Sequence, residues 1–283
     1  MRLLNTRSLT LHTFFDKAVP HYAILSHRWE EEEVTFQDLQ SGRGPSMPGY
    51  AKIDACCAQA RSDGWEYAWI DSCCIDKSSS AELSEAINSM FKWYENAEIG
   101  YAYLSDVDAE DEIPKQLENS AWFTRGWTLQ ELLAPGTLVF FDRYWVEIGT
   151  KSSLEDHVSK ITGIRELWNF RSCCIAEKMS WAAGRTTTRV EDEAYCLMGL
   201  FDVNMPLLYG EGREAFQRLQ QEILKSSDDE SLFAWYWGRD GDSILASSPK
   251  SFRNWRLTND GELYLRANPL NEVGPRVFFV SYL

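Results

Sequence analysis

An α/β fold built on a parallel sheet is what this 283-residue chain predicts, on three observations. Apolar runs of strand length recur at 21–26, 67–71, 99–104 and 137–141. Stretches of helical spacing stand between them. Strand and helix therefore alternate through the first half, the order of a sheet with helices on both faces. In such sheets ligands sit outside the carboxyl ends of the strands. Those ends carry Ser26 to Trp29, Asp71 to Asp76, and Ser105 with Asp106.

Each element has its own signal. Residues 2–15 alternate loosely and read as one or two short strands. His21-Tyr-Ala-Ile-Leu-Ser26 is a continuous apolar run, a buried strand, and leads into His27-Arg28-Trp29 and an acidic loop from Glu30 to Glu33. Residues 50–62 read as a helix with Ile53, Cys57 and Ala60 on one side. Tyr67-Ala-Trp-Ile-Asp71 is the second buried strand. Ser79 and Glu82 fit a capping box, and Leu83, Ile87, Met90, Phe91 and Tyr94 follow at helical spacing. Ile99-Gly-Tyr-Ala-Tyr-Leu104 is the third strand, 107–119 an acidic loop, Trp127–Leu133 a helix closed by Ala134-Pro-Gly136, and 137–141 the fourth strand.

From about residue 150 the pattern changes. Residues 151–162, 174–184, 189–199 and 212–226 read as helices, and 201–212 as a long turn. Residues 232–237 read as an aromatic strand and 277–283 as a last apolar strand, which either continues into further chain or pairs back into the body. The predicted organisation is an α/β core over 1–150 and a helical, then β-rich extension over 151–283 packed on it.

Composition narrows the function classes. Forty-three Asp and Glu against 28 Lys and Arg leave a net charge of −15, which disfavours binding to a nucleic-acid backbone. The start has no long apolar core of a secretory signal, and no run reaches membrane-spanning length. A reduced, cytoplasmic setting is the expectation, with no membrane partner. Six of the seven cysteines form adjacent pairs, Cys56-Cys57, Cys73-Cys74 and Cys173-Cys174, which is not zinc-ligand spacing; no metal site is expected. His27 near Cys73 or Cys74 raises a thiol nucleophile, but buried inert cysteine is the commoner outcome.

Ser120-Ala-Trp-Phe-Thr-Arg-Gly-Trp-Thr-Leu-Gln-Glu-Leu-Leu133 holds the main chemical candidate. In a helix, Trp127 and Glu131 share one face, with Leu129, Leu132 and Leu133 opposite. The leucines then pack on the core while Trp127 and Glu131 look outward together, towards a cleft. A solvated glutamate on an ordinary amphipathic helix is the plain alternative.

Four motifs, Tyr22-Ala-Ile-Leu-Ser-His-Arg-Trp29, Trp69-Ile-Asp-Ser-Cys-Cys-Ile-Asp76, Tyr101-Ala-Tyr-Leu-Ser-Asp106 and Arg125-Gly-Trp-Thr-Leu-Gln-Glu131, stand in the order and spacing of the fungal HET (heterokaryon incompatibility) domain. Met179-Ser-Trp-Ala-Ala-Gly-Arg185, Asp192-Glu-Ala-Tyr-Cys-Leu-Met-Gly199 and Leu208-Tyr-Gly-Glu-Gly212 also resemble long HET proteins. The resemblance runs over nearly the whole chain. It implies a cell-death effector of fungal incompatibility and innate immunity, often the amino-terminal part of a larger receptor-like protein with further domains carboxyl-terminal to it.

The core also resembles a divergent TIR domain, which implies a TIR-like (flavodoxin-like) sheet. In enzymatic TIR domains, the glutamate matching Glu131 is needed to release nicotinamide from NAD. The resemblance therefore implies NAD or NADP as substrate, no required cofactor, and a homo-oligomer when active. Ser-Cys-Cys-Ile-Asp-Lys77 departs from the glycine-rich or basic turn of that pattern, and many TIR domains are adaptors without activity, so a non-enzymatic signalling module stands as the alternative.

By this likeness Glu131 holds the ribose and faces the cation that forms as nicotinamide leaves. Arg28 suits a pyrophosphate, or pairs with Glu30 to Glu33. Trp29 stacks on a ring or covers the sheet edge. Ser26 bonds the ligand or ends its strand. Asp71 orients Arg28 or is structural, as Asp76 is. Arg125 reaches a phosphate or an acidic loop. Trp127 shapes the pocket or packs between helices.

Overall fold

The computed structural model describes residues 1–15, 18–110, 112–235, 243–253, 255–257 and 263–265. It divides into two compact units, Met1–Ile161 and Thr162–Leu283.

The first unit is built on a seven-stranded sheet. Its strands are β1 (Arg2–Asn5), β2 (Leu11–Thr13), β3 (Ala23–His27), β4 (Tyr67–Trp69), β5 (Ile99–Tyr103), β6 (Leu138–Phe141) and β7 (Glu147–Thr150), in the order β2-β1-β4-β3-β5-β6-β7. The central four, β4-β3-β5-β6, run parallel. The expected parallel sheet forms its centre and is extended by antiparallel strands at both margins, where β1 pairs antiparallel with β2 and β4, and β6 with β7. Connection length explains the β1-β2 and β6-β7 pairs. The short turns at 6–10 and 142–146 only allow antiparallel neighbours, whereas a parallel pair needs a crossover long enough to return the chain.

Those crossovers hold α1 (Phe36–Gln40) and α2 (Tyr50–Ser62) between β3 and β4, and α3 (Ser80–Glu95) between β4 and β5. Between β5 and β6 stand α4 (Ile113–Asn119) and α5 (Thr128–Leu133). After β3 the chain lays β4 on one side, then crosses back to place β5 on the other. The crossovers diverge there, and a crevice is expected at the carboxyl ends of β3 and β5.

The sequence-read helices at 50–62 and 79–95 form. On α2, Ile53, Cys56, Cys57 and Ala60 are buried, and on α3 Ala86, Ile87, Met90, Phe91 and Tyr94. Ser79 caps α3 by accepting from the Glu82 N–H, but the reciprocal half of the box is missing. The Glu82 carboxylate instead accepts from the Asp76 N–H and pairs with Arg2. The acidic segment 107–119, read as a loop, contains α4. Its start is set by Pro114 in the first helical turn, where the missing N–H costs nothing. α5 departs furthest from expectation. All six of its residues are buried, including Thr128, Gln130 and Glu131, so it is not amphipathic. It packs against β3, α3 and the 3-10 turn Ala121–Thr124.

In the second unit, α7 (Ile175–Ala182), α8 (Asp192–Tyr195) and α9 (Glu214–Ser226) match the predicted helical stretches at their centres, and α6 (Glu155–Thr162) spans the join. The turn before α9 is held by a buried polar network. Glu191 accepts from the N–H groups of Gly210 and Gly212 at 2.8 and 3.2 Å. The Tyr195 hydroxyl donates to Glu211 and accepts from the Leu208 N–H. Gly210 (φ +109°) and Gly212 (φ +62°) supply backbone angles that side chains disfavour. Tyr209-Gly-Glu-Gly212 is thus a helix-entry turn, as its lack of phosphate-loop spacing suggested. Gln220 on α9 clamps Ala246 through both its amide atoms. Where a strand was expected from 232, a 3-10 turn stands at Glu230–Phe233, capped by Asp229. Residues 236–237 and the strand expected at 277–283 lie outside the described residues. β8 (Trp255–Leu257) and β9 (Leu263–Leu265) form an antiparallel pair. Among the described residues no helix is long and apolar enough to cross a membrane.

Candidate functional site at the carboxyl ends of β3 and β4

Two adjacent residues of β3 organise the site. Ser26 and His27 point to opposite faces of the sheet, because side chains alternate along a strand. Each is buried and each anchors an ionisable cluster.

On the Ser26 face the cluster is built by α5 and the turn before it. Asp106, just past β5, accepts from the Ser120 hydroxyl and the Ala121 N–H, both at 2.7 Å, and so starts the Ala121–Thr124 turn. That turn delivers Trp122 into the core, edge-on to Phe123 and Phe140. The Trp122 indole N–H donates to Ser26 Oγ at 2.9 Å. Ser26 Oγ–H in turn donates to Glu131 Oε2. Tyr94 stands beside the same carboxyl while its hydroxyl donates to the Leu25 carbonyl at 2.8 Å. Glu131 is only 7% exposed. Burial pushes its carboxyl up to about 8, against the opposing bonds from Ser26 and Tyr94; the negative charge of Asp71 adds to the rise and Arg125 offsets part of it. At neutral pH the acid is mostly protonated.

Lys151 fixes the far end of α5. Its ammonium, on a side chain in a residue 1% exposed, donates to the carbonyls of Pro135 (2.6 Å) and Leu132 (3.3 Å). These carbonyls are left over at a helix end and need a donor. Burial lowers the lysine to about 8. Lys151→Met is expected to lose about 2–3 kcal/mol of stability in denaturant unfolding, because two buried carbonyls lose their donor; a change under about 0.5 kcal/mol would rule out this role.

On the His27 face, Asp71 gathers the loops that follow β3 and β4. Its carboxylate receives His27 Nε2 and the Trp29 indole N–H, both at 2.8 Å, and lies 3.7 Å from Lys77 Nζ. The Lys77 ammonium sits 3.4 Å from the centroid of the Trp29 ring, a cation–π contact. Burial opposes the charge on Asp71, yet Lys77, His27 and Trp29 together hold its carboxyl well below the usual range. Asp71 is 24% exposed at the rim. Behind it Glu33 pairs with Lys52 and receives the Glu30 N–H. His27 Nδ1 lies 3.8 Å from Glu33, and both His27 Nδ1 and Glu33 Oε2 are buried without a hydrogen-bond partner. Gly49 lets this loop sit close: a Cβ there would come within 2.6 Å of the Glu32 carbonyl oxygen.

Several sequence readings change here. Trp127 and Glu131 do not look outward together; α5 is buried on all sides, Trp127 is a half-buried N-cap residue, and the indole at the carboxyl is Trp122. Ser26 is fully buried, accepting from Trp122 and donating to Glu131. Asp71 orients Trp29 and His27, not Arg28. Arg28 is exposed and makes no ion pair with Glu30 to Glu33. Trp29 has one face taken by Lys77. Arg125 is half-buried within electrostatic reach of Glu131. Asp76 shapes its own loop, accepting from Gln37 and Ser78. His27 turns to Asp71 rather than to the cysteines. Cys73 and Cys74 are buried free thiols, and the contact with Cys74, together with burial, raises Cys73 well above its usual value. Trp122, Tyr94, Lys77, Lys52 and Glu33 were not read as site residues. Lys52 had a signal, a cation beside Ile53 in an apolar helix stripe.

A cavity of about 520 Å³ lies elsewhere, at the amino ends of β3 and β5, lined by His21, Tyr22, Lys92, Trp93 and Glu98 among others. None of the residues around Glu131 or Asp71 lines it.

Residues 22–116 match the family described as Heterokaryon incompatibility protein (HET). This segment is therefore similar to the HET family. It runs from the start of β3 into α4, and so contains Ser26, His27, Trp29, Asp71 and Lys77, while Trp122 and Glu131 lie just beyond the HET match. Residues 214–258 match a second family, a Domain of unknown function (DUF8212). The chain is 48% identical over 222 residues to the Vegetative incompatibility protein HET-E-1 of Podospora anserina. That alignment covers 73% of this chain and 16% of the relative, so the chain corresponds to a small part of that HET protein's length. No solved structure matches the chain.

Proposed function

We propose that this chain is the effector part of a fungal incompatibility protein, and that it promotes cell death by cleaving NAD at the carboxyl-terminal rim of its sheet. The reading is carried by Glu131, a carboxyl set against the end of the central strand with its ionisation moved close to neutral pH, the range in which an acidic group serves both as acid and as base. The strand order of the four parallel strands, second-first-third-fourth in chain order, supports a TIR-like sheet with its site at this edge. In the reaction the C–N glycosidic bond breaks with its electron pair passing to the nicotinamide nitrogen. Water then forms the new C–O bond and releases a proton, giving nicotinamide and ADP-ribose. Ionised Glu131 would face the ribosyl cation, and Arg28, exposed at the same rim, would meet the pyrophosphate. Because Glu131 is buried, the rim loops must open for NAD or NADP to enter. Self-association and further domains on a longer natural chain are part of this reading.

The test is release of nicotinamide from NAD by the purified chain. Activity that falls at least a hundredfold in Glu131→Ala supports the enzyme. The burial of Glu131 favours a second reading, a death-signalling module acting through contacts alone. Cell killing that persists in Glu131→Ala, with no nicotinamide release from the wild type, would establish that reading instead.

A further inference from the structure

The relay on the Ser26 face has a direction that can be deduced atom by atom. An indole N–H donates and cannot accept. Trp122 Nε1 therefore obliges Ser26 Oγ to accept, 2.9 Å away. The single proton of Ser26 is then free for its other neighbour, Glu131 Oε2. All three side chains are buried, so no solvent replaces either bond. Trp122 itself is held by Phe123 and Phe140 and by the turn that Asp106 starts, so it cannot swing aside without disturbing the core.

We propose that Ser26 and Trp122 are positioning residues for Glu131, holding Oε2 as a fixed acceptor so that Oε1 alone gains or loses the proton. Four groups from the surrounding elements act on that carboxyl: Ser26 from β3 and Tyr94 from α3 beside it, and, through their charges, Asp71 after β4 and Arg125 from the turn entering α5. Tyr94 closes the carboxyl on the α3 side. Its hydroxyl donates to the Leu25 carbonyl and stands beside the same carboxyl, where its dipole, like the Ser26 bond, favours the ionised form. When Oε1 ionises, the Ser26 bond remains and stabilises the charge, and the freed oxygen is the one available to a ribosyl cation. The use of this device in catalysis rests on the NAD-cleaving reading; the relay itself does not.

The experiment follows the Glu131 carboxyl in the full chain by infrared difference spectroscopy over pH 5–10, with Glu131→Gln identifying its band. Nicotinamide release is measured on the same proteins. Ser26→Ala removes the bond that favours the ionised form and is expected to raise the midpoint by about one pH unit, a tenfold change in the ionisation constant. Ser26→Thr keeps the hydroxyl and should restore the wild-type midpoint. Trp122→Phe removes one of the two bonds that orient the serine hydroxyl and should shift the midpoint upward by less. If Trp122→Phe does not fold, the serine pair still decides. An unchanged midpoint in Ser26→Ala, or an equal shift in Ser26→Thr, overturns the proposal. In an active enzyme, the acidic limb of kcat/KM should move with the midpoint. A shifted midpoint with no nicotinamide release from any protein leaves the relay standing and removes the enzymatic reading.

Discussion

Glu131→Gln is expected to make the protein several kcal/mol more stable than the wild type at pH 9 but less than about 1 kcal/mol more stable at pH 5. In the folded chain the Glu131 carboxyl loses its proton near pH 8, against an ordinary value of 4.5. Between those values the folded state holds a proton that the unfolded state has released. Stability therefore falls as pH rises through this window and levels off above it. The shift of three to four units, at about 1.4 kcal/mol each, amounts to roughly 5 kcal/mol once the group is fully ionised. Glutamine keeps the carbonyl that accepts from Ser26 but carries no charge, so it escapes the loss. Lys151 pulls the other way, since a lysine lowered to about 8 gains stability as pH rises towards its ordinary value. It does so equally in both proteins and cancels in the difference. Urea unfolding of the two proteins at pH 5, 7 and 9 gives the comparison. Parallel pH profiles would mean that Glu131 is ionised, and so hydrated, in the folded state.

Asp71→Ala is the second large effect, with an expected loss of about 2–3 kcal/mol at pH 7. The substitution leaves His27 Nε2 and the Trp29 indole without their acceptor, and Lys77 without its anion, in a place only partly open to water. The stabilisation from ionised Asp71 is fully present above the ordinary carboxylate value of 3.8. It fades as pH falls towards the depressed folded value. The gap between Asp71→Ala and wild type should thus narrow in acid. Asp71→Asn should fall between the two, because one amide oxygen accepts from a single donor at full strength. Thermal unfolding at pH 7 and pH 3 reads this out. A gap that does not depend on pH would show that the loss comes from packing rather than charge.

The strands and the longer helices were legible because their signals are local. The apolar run of β3, buried along its whole length, and the 3.6-residue spacing of α3 need no tertiary partner to be recognised. The site was legible only in part. Ser26, Asp71 and Glu131 were visible because they fall at strand ends or in a long motif, and the structure brings each into one of two linked clusters. Their roles were not visible. Trp122 replaces Trp127 at the carboxyl because the Asp106-capped turn, not helical spacing, decides which indole enters the core. α5 was read as amphipathic, yet Thr128, Gln130 and Glu131 are buried along with its leucines. A six-residue helix enclosed by β3, α3 and its own preceding turn has no free face, and nothing in its spacing says so. Likewise the pairing of Glu33 with Lys52, and of Lys77 with Trp29, depends on loop geometry between distant segments.

The alternation of Ser26 and His27 makes β3 unusually sensitive to its own length. Removing or adding one residue there would carry the serine to the Lys52 side and the histidine to the Trp122 side. Each would arrive among partners whose donors and acceptors do not match it, while the apolar residues around them would exchange places at little cost. Substitutions along β3 should therefore be graded in severity, whereas a single-residue deletion should abolish both clusters at once.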